Sequence, residues 1–310
     1  SLVGSEMCIR DRLKPKEAYL LEDKITYEEK QHYCEQKGFA QLHYWPNLKK
    51  PRTYNEKIIW LALHYKNPLI AQCTDKWEMK KYISEKIGKE YVIPAIHVYD
   101  DVNDIKWEDL PESFVVKSTA GWGNKQVKII KTKKYTNEHI FKASIAEWLY
   151  PWNTYYYANM CITDEKIRPR IIIEPLMGDG KNALVDYKFY CSFGEAKFAL
   201  IVSGREGTDQ SRAFIDPKKW EVLPVRRRGV HKASDVEKPD KLDEMIEIAE
   251  KLSRDIPLVR VDFYNVDGQI FVGEMTFSPG LFLKLEPVEW DYKLGECIDL
   301  ERIDKEWLDI

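Results

Sequence analysis

The segment Leu258 to Gly280, LVRVDFYNVDGQIFVGEMTFSPG, leaves few folds open to this chain. Two runs rich in β-branched and aromatic residues flank Asn265-Val266-Asp267-Gly268, the pattern of an antiparallel hairpin. Side chains alternate across a strand, so Arg260 and Asp262 share one face and Val259, Val261 and Phe263 the other. On the second run Glu274 and Thr276 lie opposite Phe271, Met275 and Phe277. A sheet does not turn Arg, Asp and Glu inward without partners, because desolvating unpaired charge is costly. Two readings stand: carboxylates that hold a divalent cation and phosphates, or a solvated face with a cross-strand ion pair. Register bears on both. A two-residue Asp267-Gly268 turn would pair Asp262 with Gly273, whereas a loop with an odd residue count lets Asp262 face Glu274 and Arg260 face Thr276. We expect the odd loop.

At 310 residues the chain can bury a large core and divide into two or three subdomains. Its 48 basic and 51 acidic residues give a net charge of −3, so no basic excess argues for nucleic acid, and the run Arg226-Arg227-Arg228 is too short to change that. The longest uncharged apolar stretches are strand-sized, too short for a transmembrane segment. Six scattered cysteines without a C-x-x-C pair fit a reduced, cytoplasmic protein with neither a disulfide framework nor a zinc site. Residues 1–12, SLVGSEMCIRDR, look like a translated sequencing-adapter scar rather than a secretory signal or a globular segment. We set them aside, expecting the native N-terminus to be missing or redefined.

Residues 13–90 read as a helical N-terminal region. Thr53-Tyr54-Asn55-Glu56 is a capping box ahead of an apolar run from Ile58 to Leu63 that stops at Asn67-Pro68. A second helix runs from near Thr74 to Gly88 with Met79, Tyr82, Ile83 and Ile87 on its apolar face and Lys76 and Lys80 on the other. Strands are expected at 91–93, 114–117, 127–130, 170–174, 186–193 and 197–202, with helices at 138–149 and 241–254. The aromatic run Trp148–Tyr157 reads as core cover or as a stacking surface.

FVVKSTAGWGNKQVKII is a strand, a small-residue loop and a returning strand. Ser118, Ala120, Gly121 and Gly123 would let backbone amides approach an anion, with Lys117 at the loop's root; no Walker motif is present. In RPRIIIEPLMGDGKN, a strand ends at Glu174 before an extended segment and a glycine turn. Glu174 and the backbone near Leu176 could read an adenine edge, or the segment is a hinge, and both can hold together. In DYKFYCSFGEAKFALIV, Asp186, Lys188 and Tyr190 share a face, and Lys188 either reaches a phosphate or faces solvent. The six histidines have no ligand spacing, and no nucleophile elbow is found.

These pieces stand in an order that resembles the ATP-grasp superfamily. More narrowly, NLKKPRTYNEKIIWL, DKWEMKKYISEKIGKEYVIP, LPESFVVKS, RIIIEPL, DYKFYCSFGEAKF and RVDFYNVDGQIFVGEMTFSPG resemble the TupA-like ATP-grasp proteins of teichuronopeptide and capsular polysaccharide biosynthesis. The resemblance implies an α+β fold of two α+β subdomains with ATP between them, preceded by the helical region. Residues 91–175 would form the small lid subdomain and 176–310 the large one with the metal site. It also implies ATP and Mg²⁺ as cofactors. Lys117 would contact the α- and β-phosphates, Lys76 would be an upstream phosphate-side lysine, Glu174 would take the adenine amino group, and Leu176 would add backbone contacts. Lys188 would approach the γ-phosphate, Arg260 would steady the transferring phosphoryl group, and Asp262 and Glu274 would hold magnesium. Three departures stand out: Thr276 where the superfamily has Asn, KSTAGWGNK in place of a His- and Pro-bearing loop, and Lys80 in place of an arginine.

The chemistry so implied joins a carboxylate to an amine through an acylphosphate and needs positioned cations rather than a protein nucleophile. The expected partners are ATP, an acidic saccharide or glutamate-type acceptor and an amine donor. Arg205, Arg212 and Arg226–Arg228 are candidate clamps for the acid, or solvated loop arginines. A kinase on the same fold, or a non-catalytic polysaccharide-assembly protein, are the alternatives.

Overall fold

The computed structural model describes residues 26–122, 126–150, 167–178, 184–204, 211–228, 233 and 236–309. The segment 1–12, most of the aromatic run 148–157 and Arg205 lie outside these residues. The chain forms two compact units, one of residues 75–77 and 94–176 with the N-terminal stretch, the other of 27–74, 78–93 and 177–310.

In the first unit, strands β1 (His97–Tyr99), β2 (Phe114–Ser118), β3 (Val127–Ile130) and β4 (Ile171–Pro175) form an antiparallel sheet in the order β1-β4-β2-β3. Phe114 and Val116 of β2 and Ile171 and Ile173 of β4 point into a core with Phe141 and Ile145 of helix α5 (Glu138–Ile145). Phe114 meets Phe141 edge-on at 5.9 Å and Trp107 at 6.1 Å, the geometry that ring quadrupoles favour. Alternation then sends Val115 and Lys117 to the opposite face, beside Ile172 and Glu174.

The second unit begins with helix α1 (Tyr27–Leu42), followed by α2 (Tyr54–His64), α3 (Leu69–Thr74) and the body of α4 (Lys76–Lys86). The capping box at α2 is present: Thr53 Oγ1 accepts from Glu56 N at 3.1 Å and Glu56 Oε2 accepts from Thr53 N at 3.0 Å. The short α3 sits where an interruption was expected. Residues 89–91 form a 3₁₀ turn instead of the expected strand, and only Val92 bridges to Val272. Lys80 was expected on the polar side of α4, yet it is buried with Met79 and Ile83, and its Nζ donates to Ile93 O at 2.6 Å. Its long stem reaches a carbonyl that would otherwise want a donor.

Strands β5 (Asp186–Ser192), β6 (Glu195–Ser203), β7 (Ser211–Asp216), β8 (Glu221–Val222), β10 (Val259–Val266) and β11 (Gln269–Thr276) make an antiparallel sheet in the order β11-β10-β5-β6-β7-β8. A separate ladder pairs β9 (Arg226–Arg227) with β12 (Leu285–Glu286). One face packs Phe189, Val259, Val261 and Phe263 against helix α6 (Leu242–Leu252). The helix offers Leu242, Met245, Ile248, Ala249 and Leu252, one stripe at helical spacing. The other face packs Tyr190, Phe198 and Phe214 with Tyr54, Ile58 and Leu61 of α2 and with Leu294 of helix α7 (Glu289–Gly295).

The opening hairpin pairs as expected but by another route. Asp267 and Gly268 both have positive φ, 53° and 79°, and form a two-residue turn, so the odd loop is absent. Val266 therefore faces Gln269, and Phe263 faces Val272. A bulge then takes up Gly273 as an extra residue, after which Asp262 faces Glu274 and Arg260 faces Thr276. The extra residue corrects the parity inside the strand instead of in the turn.

Candidate functional site

In the second unit, three adjacent strands deliver charge to one face. Arg260 is the register partner of Tyr190 on β5 and Thr276 on β11; Asp262 is that of Lys188 and Glu274. Phe189, Val261 and Phe263 occupy the intervening positions and anchor the strands in the core. Arg260 clasps Asp262 through two bonds, Nε to Oδ1 at 2.5 Å and Nη2 to Oδ2 at 2.8 Å, and reaches Glu274 Oε2 at 3.2 Å. Lys188 donates to Asp262 from the other side and lies 3.6 Å from Asp186 Oδ1.

Burial acts to raise the Asp262 pKa, but the charges of Arg260 and Lys188 outweigh it and hold the carboxyl below its usual range. Burial likewise pushes the Tyr190 phenol up, against the pull of Arg260. Asp262 and Lys188 are 2% and 6% exposed, whereas the Glu274 side chain is 39% exposed and has the weakest hold on the cluster. Lys188 and Arg260 thus stand among three carboxylates, Asp186, Asp262 and Glu274.

The facing carboxylates of Asp262 and Glu274 fit a divalent cation. The buried Thr276 Oγ1 on the same face has no hydrogen-bond partner among the described residues. Also among them, no group of three or more His, Cys, Asp and Glu side chains could hold a metal ion. Mg²⁺ does not need such a cage: it binds through one or two carboxylates and completes its shell with phosphate oxygens and water. Asp262 and Glu274 can supply that much.

In the first unit, Lys117 Nζ and Glu174 Oε2 form an ion pair at 2.6 Å across β2 and β4. Lys117 is paired with Ile172, two residues before Glu174, so the contact is diagonal on one face. Lys76, at the start of α4, donates from Nζ to Gly121 O at 2.5 Å and from its amide to Thr119 O at 2.9 Å. Leu176 follows β4 directly. The small-residue loop differs from the sequence-based expectation. The amides of Ser118, Thr119 and Gly121 donate to Gln126 O, Arg170 O and Ser118 O, so these three N–H groups are committed inside the protein. Gly121 is needed for packing instead: a Cβ there would lie 2.9 Å from Gln126 Cβ. Gly123 lies outside the described residues.

A family model described as TupA-like ATP-grasp matches residues 56–299, more than three-quarters of the chain. The chain belongs to the TupA-like ATP-grasp family. Its α+β architecture is accordingly that of the ATP-grasp fold. No curated protein matches the chain. Among similar solved structures, the D-alanine–D-alanine ligase of Helicobacter pylori is 16% identical, with 80% of this chain and 67% of that one covered at a TM-score of 0.44. The corresponding ligase of Bacillus anthracis is 16% identical, with 73% and 65% covered and a TM-score of 0.43. The ATP-grasp ligase PsnB, complexed with a phosphomimetic variant of a minimal precursor, Mg and ADP, is 14% identical, with 70% and 55% covered and a TM-score of 0.40. The chain thus spans between 55% and 67% of those chains' own lengths.

Sequence reasoning about this TupA-like protein missed one further polar cluster. Asn55 grips the backbone of Leu283 with both ends of its amide, Nδ2 to O at 2.8 Å and Leu283 N to Oδ1 at 2.6 Å. Asp291 Oδ1 accepts from Asn55 N at 3.0 Å, and Tyr54 donates to Pro279 O at 2.7 Å. Lys57 donates to Gly295 O and Ile298 O. Tyr54, Asn55 and Lys57 therefore tie α2 to the segment that follows β11, while Glu56 caps the helix start. A polar triplet inside a helix with an apolar face was the signal available for it.

Proposed function

We propose that the protein is an ATP- and Mg²⁺-dependent carboxylate–amine ligase of cell-surface polysaccharide or teichuronopeptide assembly. The observation that carries this reading is the convergence of Arg260, Asp262, Lys188 and Glu274 on one sheet face of a TupA-like ATP-grasp chain. Asp262 and Glu274 would hold Mg²⁺, which when bound supplies charge neutralisation for the phosphates. Lys188 would approach the γ-phosphate, and Arg260 would steady the transferring phosphoryl group. Lys117 would hold the α- and β-phosphates with Lys76 nearby, while Glu174 and the Leu176 backbone would read adenine.

In this reading a carboxylate oxygen of the acceptor attacks the γ-phosphorus, ADP leaves, and an amine then displaces phosphate from the acylphosphate. Positioned cations suffice for both steps, and no protein nucleophile is required. Residues 91–175 and 176–310 would serve as lid and metal-bearing subdomains after a helical region from 13 to 90. No helix among the described residues is long and apolar enough to cross a membrane. Cys34, Cys73, Cys191 and Cys297 are free thiols, which accords with work in the reducing cytoplasm.

Hydroxylamine trapping tests the reading. With ATP, Mg²⁺ and an acidic acceptor such as glutamate or a uronic acid, hydroxamate should accumulate, and Asp262→Asn should abolish it. ATP consumption that yields a phosphorylated hydroxyl and no hydroxamate would instead establish a kinase. Wild-type-like polymer synthesis and ATP binding in Lys117→Ala and Asp262→Asn would remove the enzyme reading altogether.

A further inference from the structure

The run Arg226-Arg227-Arg228 divides by strand alternation. In the β9–β12 ladder Arg226 faces Glu286 and Arg227 faces Leu285. Glu286 accepts from Arg226, with Oε2 3.0 Å from Nη2, and its Oε1 lies 3.4 Å from Arg228 Nε. One carboxylate therefore occupies two guanidiniums, and three arginines against one glutamate leave a strong positive excess. Arg227 points the other way. It is exposed, and its guanidinium has no ion-pair or hydrogen-bond partner among the described residues. Its register partner Leu285 packs in the same core as Tyr190, and Tyr190 is the register partner of Arg260. The Arg227 charge is felt at the Tyr190 hydroxyl, where it opposes the rise caused by burial.

We propose that Arg227 anchors a second carboxylate of the acceptor, so that the substrate class is an acid bearing at least two carboxylates, with the reacting one at Arg260. This rests on the ligase reading. Guanidinium offers a planar fork that matches a carboxylate through two parallel bonds, and an arginine already held by its own glutamate has fewer donors and less net charge to offer a second acid. Arg226 and Arg228 brace the ladder through Glu286, and Arg227 is the arginine of the three whose donors are all uncommitted among the described residues.

The test compares digalacturonate and glutarate with their single-charge counterparts galacturonate and butyrate. Binding to the full chain is measured calorimetrically with an ATP analogue and Mg²⁺, and hydroxamate formation is measured in parallel. The wild type should bind each diacid at least tenfold more tightly than its monoacid. Arg227→Ala should erase that preference, raising KM for the diacid at least tenfold, with kcat within threefold and KM for ATP within twofold. Arg227→Lys should restore part of it, and Arg226→Ala and Arg228→Ala should stay within twofold of the wild type. The proposal is overturned if the wild type shows no diacid preference, if Arg227→Ala keeps it, or if KM for ATP moves instead. Hydroxamate from monoacids and diacids alike, independent of Arg227, would leave the ligase standing without the anchor. An Arg227-dependent diacid preference without any hydroxamate would leave the anion site standing without the ligase.

Discussion

Gly273 is the extra residue that brings Glu274 opposite Asp262, and alanine there is the sharpest perturbation the structure offers. Its φ is outside the left-handed region, so alanine meets no backbone penalty of its own. The cost is steric. A Cβ on residue 273 would lie 2.6 Å from Tyr264 Cε2, 3.2 Å from Cδ2 and 3.4 Å from Cζ, so the ring or the strand must shift. Overpacking of this kind costs about 1–3 kcal/mol, and each kcal/mol lowers Tm by about 2–4 °C in a protein near this size. Because β11 is an edge strand and Glu274 is the next residue, the shift falls on the carboxylate pair. Displacement of a positioned group by about 1 Å can cost 100-fold, so we expect Mg²⁺ affinity, followed through nucleotide binding, to fall about tenfold. Urea unfolding of a double-mutant cycle separates the causes: in a Tyr264→Ala background Gly273→Ala should cost under about 0.5 kcal/mol. Additive penalties would refute the clash. A destabilised Gly273→Ala with unchanged Mg²⁺ dependence would refute the positioning role of the bulge.

Three further outcomes follow from the same contacts. Asp262 is held below the usual carboxylate range in the folded state, so it contributes stability above its unfolded pKa of about 3.9, and that contribution is lost as pH falls through the folded value; unfolding measured from pH 7 to 2 should show Asp262→Asn flattening this acid limb. Lys117→Met removes the cation paired with the buried Glu174 carboxylate and should cost about 1–3 kcal/mol besides weakening nucleotide binding, whereas Lys117→Met in a Glu174→Gln background should cost markedly less in urea unfolding. Asn55→Ala leaves both backbone groups of Leu283 and the Asp291 carboxylate short of a partner and should cost at least ~2 kcal/mol; a Tm within 1 °C of the parent, against the roughly 4 °C this implies, would show that the segment after β11 is held by other contacts.

Local chemistry made several elements legible. The capping box at Thr53, the stripe on α6 and the alternation in β5, β10 and β11 depend on spacing alone, and spacing is written in the chain. The family, too, could be read from residue order. The turn of Lys80 into the interior could not, because it depends on the carbonyl of Ile93 arriving from a different element. The amides of the small-residue loop looked available for an anion, but the carbonyls of Gln126, Arg170 and the loop's own Ser118 had already taken three of them.

The hairpin shows the division most clearly. Alternation determined in advance that Arg260 and Asp262 share a face, and that Glu274 and Thr276 share another. Whether those faces coincide depends on one residue of register, and both an odd loop and a bulge satisfy the same sequence. Only the folded sheet chose the bulge: the Asp267-Gly268 turn closes tightly through two positive φ angles, and the ring of Tyr264 lies over Gly273 where a larger residue would collide. Spacing along a chain determines which way a side chain points; which other charge it meets is decided by strands that pair across long separations.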